Sequence, residues 1–174
     1  MDMGPVIVIL IRLLVPFSIL KSPFWGTVIS ALTDAADVIL ITAINSGDFA
    51  SYHNTDKVLD LYYLAFVFYV SLSWKNVLAR RASIALFVYR LIGVVLFEMS
   101  GVRALLLIFP NLFEHFAVFY LGYLRFFKKD PIKNIRSLAV ILLVLLLLKM
   151  PQEYVLHYQQ AQPWNWVKQN VLGL

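Results

Sequence analysis

Apolar runs close to the length of a membrane span recur along this chain, and they constrain its fold more than any motif does. A helix needs about 20 mostly apolar residues to cross about 30 Å of hydrocarbon. The runs occupy residues 4–20, 24–44, 56–74, 82–99, 102–124 and 138–148. Composition agrees: 61% of the 174 residues are apolar and 14% charged, with mean hydropathy +0.77, against about 45–50% and about 25% in soluble domains. The sequence therefore predicts an all-α, polytopic transmembrane helical bundle of about six spans over residues 1–150.

The breaks between runs are short and polar. Lys21-Ser22-Pro23 makes a hairpin-like connection, Asn45-Ser46-Gly47-Asp48 reads as a turn, and Ser51 to Thr55 continues that loop. Lys75, Arg80 and Arg81 mark the next turn, and Ser100-Gly101 precedes the fifth run. Pro110 predicts a kink within that run, because proline removes a helical hydrogen bond. The sixth run reaches spanning length only by adding Ile135-Arg136-Ser137 and Lys149-Met150, with the basic side chains snorkelling. Residues 151–174 mix Tyr154, Trp164 and Trp166 with polar residues, a composition suited to an interfacial tail.

Several function classes are excluded early. The chain has no cysteine, which removes disulfides, iron–sulfur clusters and thiol nucleophiles. Met1-Asp2-Met3 leads into apolar sequence without a basic segment or a small-residue cleavage site, so the first run is expected to persist in the mature protein. No P-loop, dinucleotide-binding glycine turn, metalloprotease His-Glu-x-x-His helix or serine nucleophile elbow is present. Glu153 and His157, spaced i and i+4, lack the further ligands of a zinc site.

Net charge is +5 and the pI about 9.5, but the basic residues sit in loops between apolar runs rather than on one face. Membrane topology accounts for them, and no nucleic-acid partner is expected. With six spans, Lys21, Lys75, Arg80, Arg81, Arg125, Lys128, Lys129, Lys133 and Arg136 fall on one side, and Lys57, Arg103, Lys149 and Lys168 on the other. The positive-inside rule then places both termini outside the cytoplasm, and the chain is expected in the cell membrane.

Ionisable groups inside spans cost at least about 2.5–3.5 kcal/mol each and so point to function. Asp34 and Asp37 in the second run are spaced i and i+3, and Thr27 and Ser30 extend the same stripe. Asp56 and Asp60, at the start of the third run, are spaced i and i+4 with Tyr63 one turn further. Carboxylates gathered near a membrane boundary repel one another unless they are protonated or share cations. Oxygen ligands favour Mg²⁺, Mn²⁺ or Ca²⁺ over zinc, and two such ions can bind a diphosphate and activate a hydroxyl. Asp34, Asp37, Asp56 and Asp60 are thus the candidate metal ligands, with Asp56 or Asp60 as the candidate catalytic base.

The order of these residues resembles the CDP-alcohol phosphatidyltransferases, six-span enzymes with metal-binding aspartates on their second and third helices. Their signature runs D-x2-D-G-x2-A-R-x8-G-x3-D-x3-D. Asp34-Ala35-Ala36-Asp37 is similar to its opening and Asp56-Lys57-Val58-Leu59-Asp60 to its closing pair. Arg12-Leu13-Leu14-Val15-Pro16 and Ser22-Pro23-Phe24 resemble the way many members begin, so the likeness covers about residues 10–63. It implies a Mg²⁺- or Mn²⁺-dependent transferase acting on a lipid-linked or diphosphate substrate. Val38-Ile39-Leu40-Ile41-Thr42 stands where the family has Gly-x-x-Ala-Arg. An alternative register aligns Asp56-Lys57 with the family's final Asp-Lys and leaves three ligands, with Tyr52 at the third aspartate position.

Two functional readings follow. In one, the aspartates bind cations, while Arg12 and Lys57 bind a lipid phosphate. In the other, the chain is a non-enzymatic membrane protein, a homo-oligomer, partner-binding subunit or ion pathway, with structural or protonatable aspartates and Arg12 as their counter-ion. A charge count that puts the loop between spans two and three outside the cytoplasm conflicts with a cytosolic CDP-linked substrate. Elsewhere, Arg90 is expected to pair with Glu114 across helices, near Glu98, Asn111 and His115. Glu114 and His115 have a second reading, as a lipid-phosphate or proton site. Arg125-Phe126-Phe127-Lys128-Lys129 reads as a basic aromatic interface anchor.

Overall fold

A computed structural model describes residues 3–43, 52–102 and 104–154; the side chains of residues 3–5, 37–43, 52–57 and 153 also lie outside the described set. The described residues form helices without strands. In order these are α1 (Met3–Leu14), α2 (Phe17–Lys21), α3 (Pro23–Ala43), α4 (Tyr52–Ser71), α5 (Val77–Ser100), α6 (Ala104–Ile108), α7 (Leu112–Phe127) and α8 (Ile135–Glu153). The fold divides into two compact units, one built on residues 1–67 and the other on residues 68–161, a division that no linker in the sequence marks.

In the first unit the first apolar run is two helices. Pro16 has no N–H to offer the Arg12 carbonyl, so α1 stops at Leu14 and a tighter turn follows, with Ser18 N–H on Val15 O at 2.9 Å and Ile19 N–H on Pro16 O at 3.0 Å. Ser22 alone separates α2 from α3, which opens on Pro23, a residue whose fixed φ suits the first helical position. The return is tight enough to need a glycine. A Cβ on Gly26 would lie 2.5 Å from Ile19 Cα and 2.7 Å from Ser18 C, so the backbones of α2 and α3 touch. The α4 portion of this unit adds Leu59, Tyr63, Leu64 and Val67 to the core, each at most 5% exposed. Phe66 meets Phe17 edge-on, ring centroids 5.1 Å apart, and Tyr62 Oη donates to Leu13 O at 3.3 Å.

In the second unit, α5 begins at Val77, five residues before the apolar run it carries, so Arg80 and Arg81 sit in its first turns rather than in a loop. Asn76 caps it by accepting from Leu78 and Ala79 N–H. Gly101 closes it in the left-handed conformation, φ 68°, where a side chain would be strained. Pro110 divides the fifth run, as the sequence predicts for a kink there. Helix α6 ends at Ile108 and α7 restarts from Asn111, whose side chain caps it. Phe113, Phe116, Ala117 and Tyr120 of α7 are the buried centre. Phe87 stacks on Phe68 at 4.3 Å and Trp74 packs on Tyr120 at 4.4 Å. Asn134 and Ser137 form a capping box for α8.

Three helices among the described residues are long and apolar enough to cross a membrane: Val77–Ser100, Ala104–Phe127 taken through the Pro110 break, and Ile135–Gln152. The sixth run thus attains the necessary length. Lys149, expected to snorkel, is 6% exposed and donates to Gln152 Oε1 at 3.2 Å. Large apolar side chains stay uncovered along α5 and α8, including Ile92, Val95, Val140, Leu147 and Leu148, as expected for helices whose surroundings are apolar. The tail from residue 155 onward lies outside the described residues.

Candidate functional site

The polar stripe predicted on the second run exists as one face of α3. Thr27 and Ser30 are buried, at 0% and 4% exposure, and Asp34 follows one turn later. Thr27 spends its hydroxyl on Pro23 O at 2.7 Å and Thr33 on Ile29 O at 2.8 Å, each the carbonyl four residues back. Ser30 does not. Its buried Oγ has no hydrogen-bond partner among the described residues, and it lines a cavity of about 10 Å³, close to the lower bound for one water.

Three stretches of chain meet at that cavity. Arg12, Val15 and Pro16 come from the end of α1 and its break, Ser30, Thr33 and Asp34 from α3, and Leu59 and Tyr63 from α4. The break at Pro16 shapes the α1 wall. Arg12 Nη2 donates to Asp34 Oδ1 in a direct ion pair. The pair is asymmetric, because the Arg12 side chain is 3% exposed and the Asp34 side chain 29%. Asp34 therefore keeps access to a surface while the Arg12 guanidinium is enclosed. Tyr63, 3% exposed, brings α4 to the same place.

The remaining predicted ligands are only partly within view. Asp37 lies on α3 three residues after Asp34, and Asp56 and Lys57 lie in the first turns of α4, but their side chains fall outside the described residues. Asp60 is half-buried on α4, one turn before the cavity-lining Tyr63. Among the described residues no group of three His, Cys, Asp or Glu stands together as a metal site. The all-oxygen donors suit Mg²⁺ or Mn²⁺, but Asp34 is already neutralised by Arg12. A divalent ion here would need Arg12 withdrawn from Asp34 and further ligands from among Asp37, Asp56 and Asp60.

Arg90 and Glu114 both lie in the second unit. Arg90 Nη1 donates to Phe109 O at 3.3 Å, and Glu114 accepts from Asn111 Nδ2 at 2.7 Å. His115 Nδ1 lies 3.3 Å from Asn111 O.

Sequence reasoning singled out Arg12, Asp34, Ser30 and Tyr63; Pro16 entered only through the family resemblance and Gly26 not at all, although both set the α1–α2–α3 geometry around them. The signal for Pro16 was its i+4 spacing from Arg12. A polar clasp in the second unit also went unnoticed: Tyr120 Oη donates to Asp130 at 2.9 Å, and Asn76 Nδ2 donates to Ile132 O at 2.7 Å. No protein family, curated protein or solved structure matches the chain.

Proposed function

We propose that the chain is a multi-pass integral membrane protein of about six spans, with both termini outside the cytoplasm, and that its first unit is a transferase site for a lipid-linked phosphate or diphosphate. The reading follows the resemblance to CDP-alcohol phosphatidyltransferases. One observation supports it above others: Arg12, Ser30, Thr33, Asp34 and Tyr63, drawn from three separate helices, line one cavity. Such convergence is costly in hydrocarbon and is kept where polar groups do work.

In this reading Asp34, Asp37, Asp56 and Asp60 hold Mg²⁺ or Mn²⁺, which would neutralise and orient the phosphates. Arg12 and Lys57 bind phosphate oxygens, since a guanidinium forms paired charge-assisted hydrogen bonds with them. Asp56 or Asp60 takes the proton of the attacking hydroxyl. A site opening away from the cytoplasm requires a donor other than a cytosolic CDP-alcohol, which agrees with the absent Gly and Ala-Arg positions.

The direct Arg12–Asp34 contact favours a second reading, in which the aspartates hold the bundle together or carry protons and no transfer occurs. Mn²⁺ titration of the full chain in neutral detergent, followed by electron paramagnetic resonance, separates the two. The transferase reading expects saturable binding that falls at least about tenfold in Asp34→Asn while helix content is kept. Absence of saturable Mn²⁺ binding in the wild type refutes it. For topology, Asn54→Cys in this cysteine-free chain should react with an impermeant thiol reagent added outside cells.

A further inference from the structure

We infer that the second unit carries a discrete binding site for one anionic phospholipid, in the groove between α7 and α8. This rests on the membrane placement of those two helices and not on the transferase reading. The groove is open, about 420 Å³, with Phe119 and Tyr123 of α7 on one wall and Val140 and Ile141 of α8 on the other. Pro131 and Arg136 stand at the end where the connection between the helices turns back. An apolar trough with a guanidinium at one end matches the two parts of a phospholipid: acyl chain along the rings and aliphatic side chains, phosphate at Arg136.

Charge complementarity selects an anionic headgroup over a zwitterionic one. Arg125, Lys128, Lys129, Lys133 and Arg136 are all exposed at this end of the unit. Among the described residues, none of their side chains has a hydrogen bond or ion pair. The acid within the connection, Asp130, is already engaged by Tyr120 Oη at 2.9 Å and by Ile132 N–H at 2.8 Å, so it does not neutralise them. Ser137 is engaged as well, accepting from Lys133 and Asn134 N–H at 3.0 and 3.1 Å. Arg136 is thus the charged group of the groove available to a phosphate, and its planar fork suits two phosphate oxygens. The backbone is held ready for it, because the Asn134–Ser137 capping box fixes the first turn of α8 and the Asp130 contacts fix the connection. A merely basic surface would attract anionic lipid diffusely; the groove gives one lipid a defined place.

The test is native mass spectrometry of the full chain in neutral detergent, titrated with phosphatidylglycerol or phosphatidylcholine of matched chains. Wild type is expected to retain one phosphatidylglycerol with at least about tenfold preference over phosphatidylcholine. Arg136→Gln should lower phosphatidylglycerol affinity about tenfold and phosphatidylcholine affinity by clearly less, with Arg136→Lys between. Lys129→Gln, which removes an equal charge outside the groove, should change it less than about threefold. Ile141→Trp, which fills the trough, should displace the lipid while circular dichroism shows the helices retained. Equal effects of Arg136→Gln and Lys129→Gln, equal retention of the two lipids, or binding undiminished by Ile141→Trp would each overturn the proposal. Displacement by glycerol phosphate alone at similar concentration would also overturn it, by showing that the acyl chain contributes nothing.

Discussion

Substitution of Gly26 by alanine should damage the first unit more than its single methyl group suggests. The new Cβ would lie 2.5 Å from Ile19 Cα and 2.7 Å from Ser18 C, and it would also meet Ile19 N. These are backbone atoms, so no rotamer change relieves the clash. The two segments must separate by about 1 Å to reach ordinary carbon contact near 3.5 Å. Separation is resisted, because Ser22 alone joins α2 to α3 and Gly26 N–H is bonded to Ser22 O at 2.7 Å. Overpacking typically costs about 1–3 kcal/mol, and a backbone neighbour places this case near the upper end. The helix-propensity gain of alanine over glycine, about 1 kcal/mol, offsets part of it. The net expectation is about 2 kcal/mol, or about 4–8 °C in midpoint for a chain of this size. Thermal unfolding in one detergent, followed by far-ultraviolet circular dichroism, measures it. Alanine at Gly26 with an unchanged or raised midpoint would show that α2 and α3 do not touch there.

The ion pair should respond asymmetrically. Asp34→Ala removes the carboxylate beside a buried guanidinium and should cost about 3 kcal/mol or more, whereas Arg12→Met leaves a carboxylate that still reaches the surface and should cost at least about 1 kcal/mol less; equal losses in detergent unfolding would contradict the difference in exposure. Ser83 Oγ donates to Ser71 Oγ at 2.5 Å and Ser71 Oγ donates to Phe68 O at 2.7 Å, both serines being fully buried. Ser71→Ala orphans the Ser83 donor and should cost about 1 kcal/mol more than Ser83→Ala, which leaves the Ser71 bond intact; the same unfolding assay reads the order. Asn76→Ala loses the α5 cap and the bond to Ile132 O and should lower stability by about 1–2 kcal/mol, with faster amide exchange at Leu78 and Ala79.

What could be read from the residues follows from where the physical constraints are local. Apolar periodicity and length located α3, α4, α8 and the end of α5 within a few residues, and the i, i+3, i+4 spacing of Thr27, Ser30 and Asp34 placed them on one helix face. Pro110 announced the α6–α7 break because its lost hydrogen bond is a property of the residue itself. Pro16 has the same property, yet the first run reads as continuous, since apolar residues, Val15 and Phe17, flank it and one tight turn absorbs the change. The Gly26 contact was hidden for a different reason. It depends on where α2 returns against α3, and glycine in an apolar helix has many meanings until its neighbour is known. The start of α5 was misplaced because Arg80 and Arg81 look like loop residues, although Asn76 supplies the cap that lets them be helical.

The Arg12–Asp34 contact narrows what can enter the first unit. Arg12 is almost fully enclosed, so its charge must keep a partner; an unpaired buried charge costs several kcal/mol. A ligand that takes only Asp34 separates the enclosed guanidinium from that carboxylate, and one that takes only Arg12 separates the carboxylate, which keeps partial solvent access. A neutral ligand serves neither. A cation bound together with a phosphate serves both, because the cation replaces Arg12 beside Asp34 while the phosphate replaces Asp34 beside Arg12. The buried Ser30 hydroxyl, which has no other partner among the described residues, then has an oxygen or a water to bond. The exchange keeps the sign of the charge at each position, so under the proposed transferase reading the pair that stabilises the resting bundle is also the contact that a metal–phosphate complex would open.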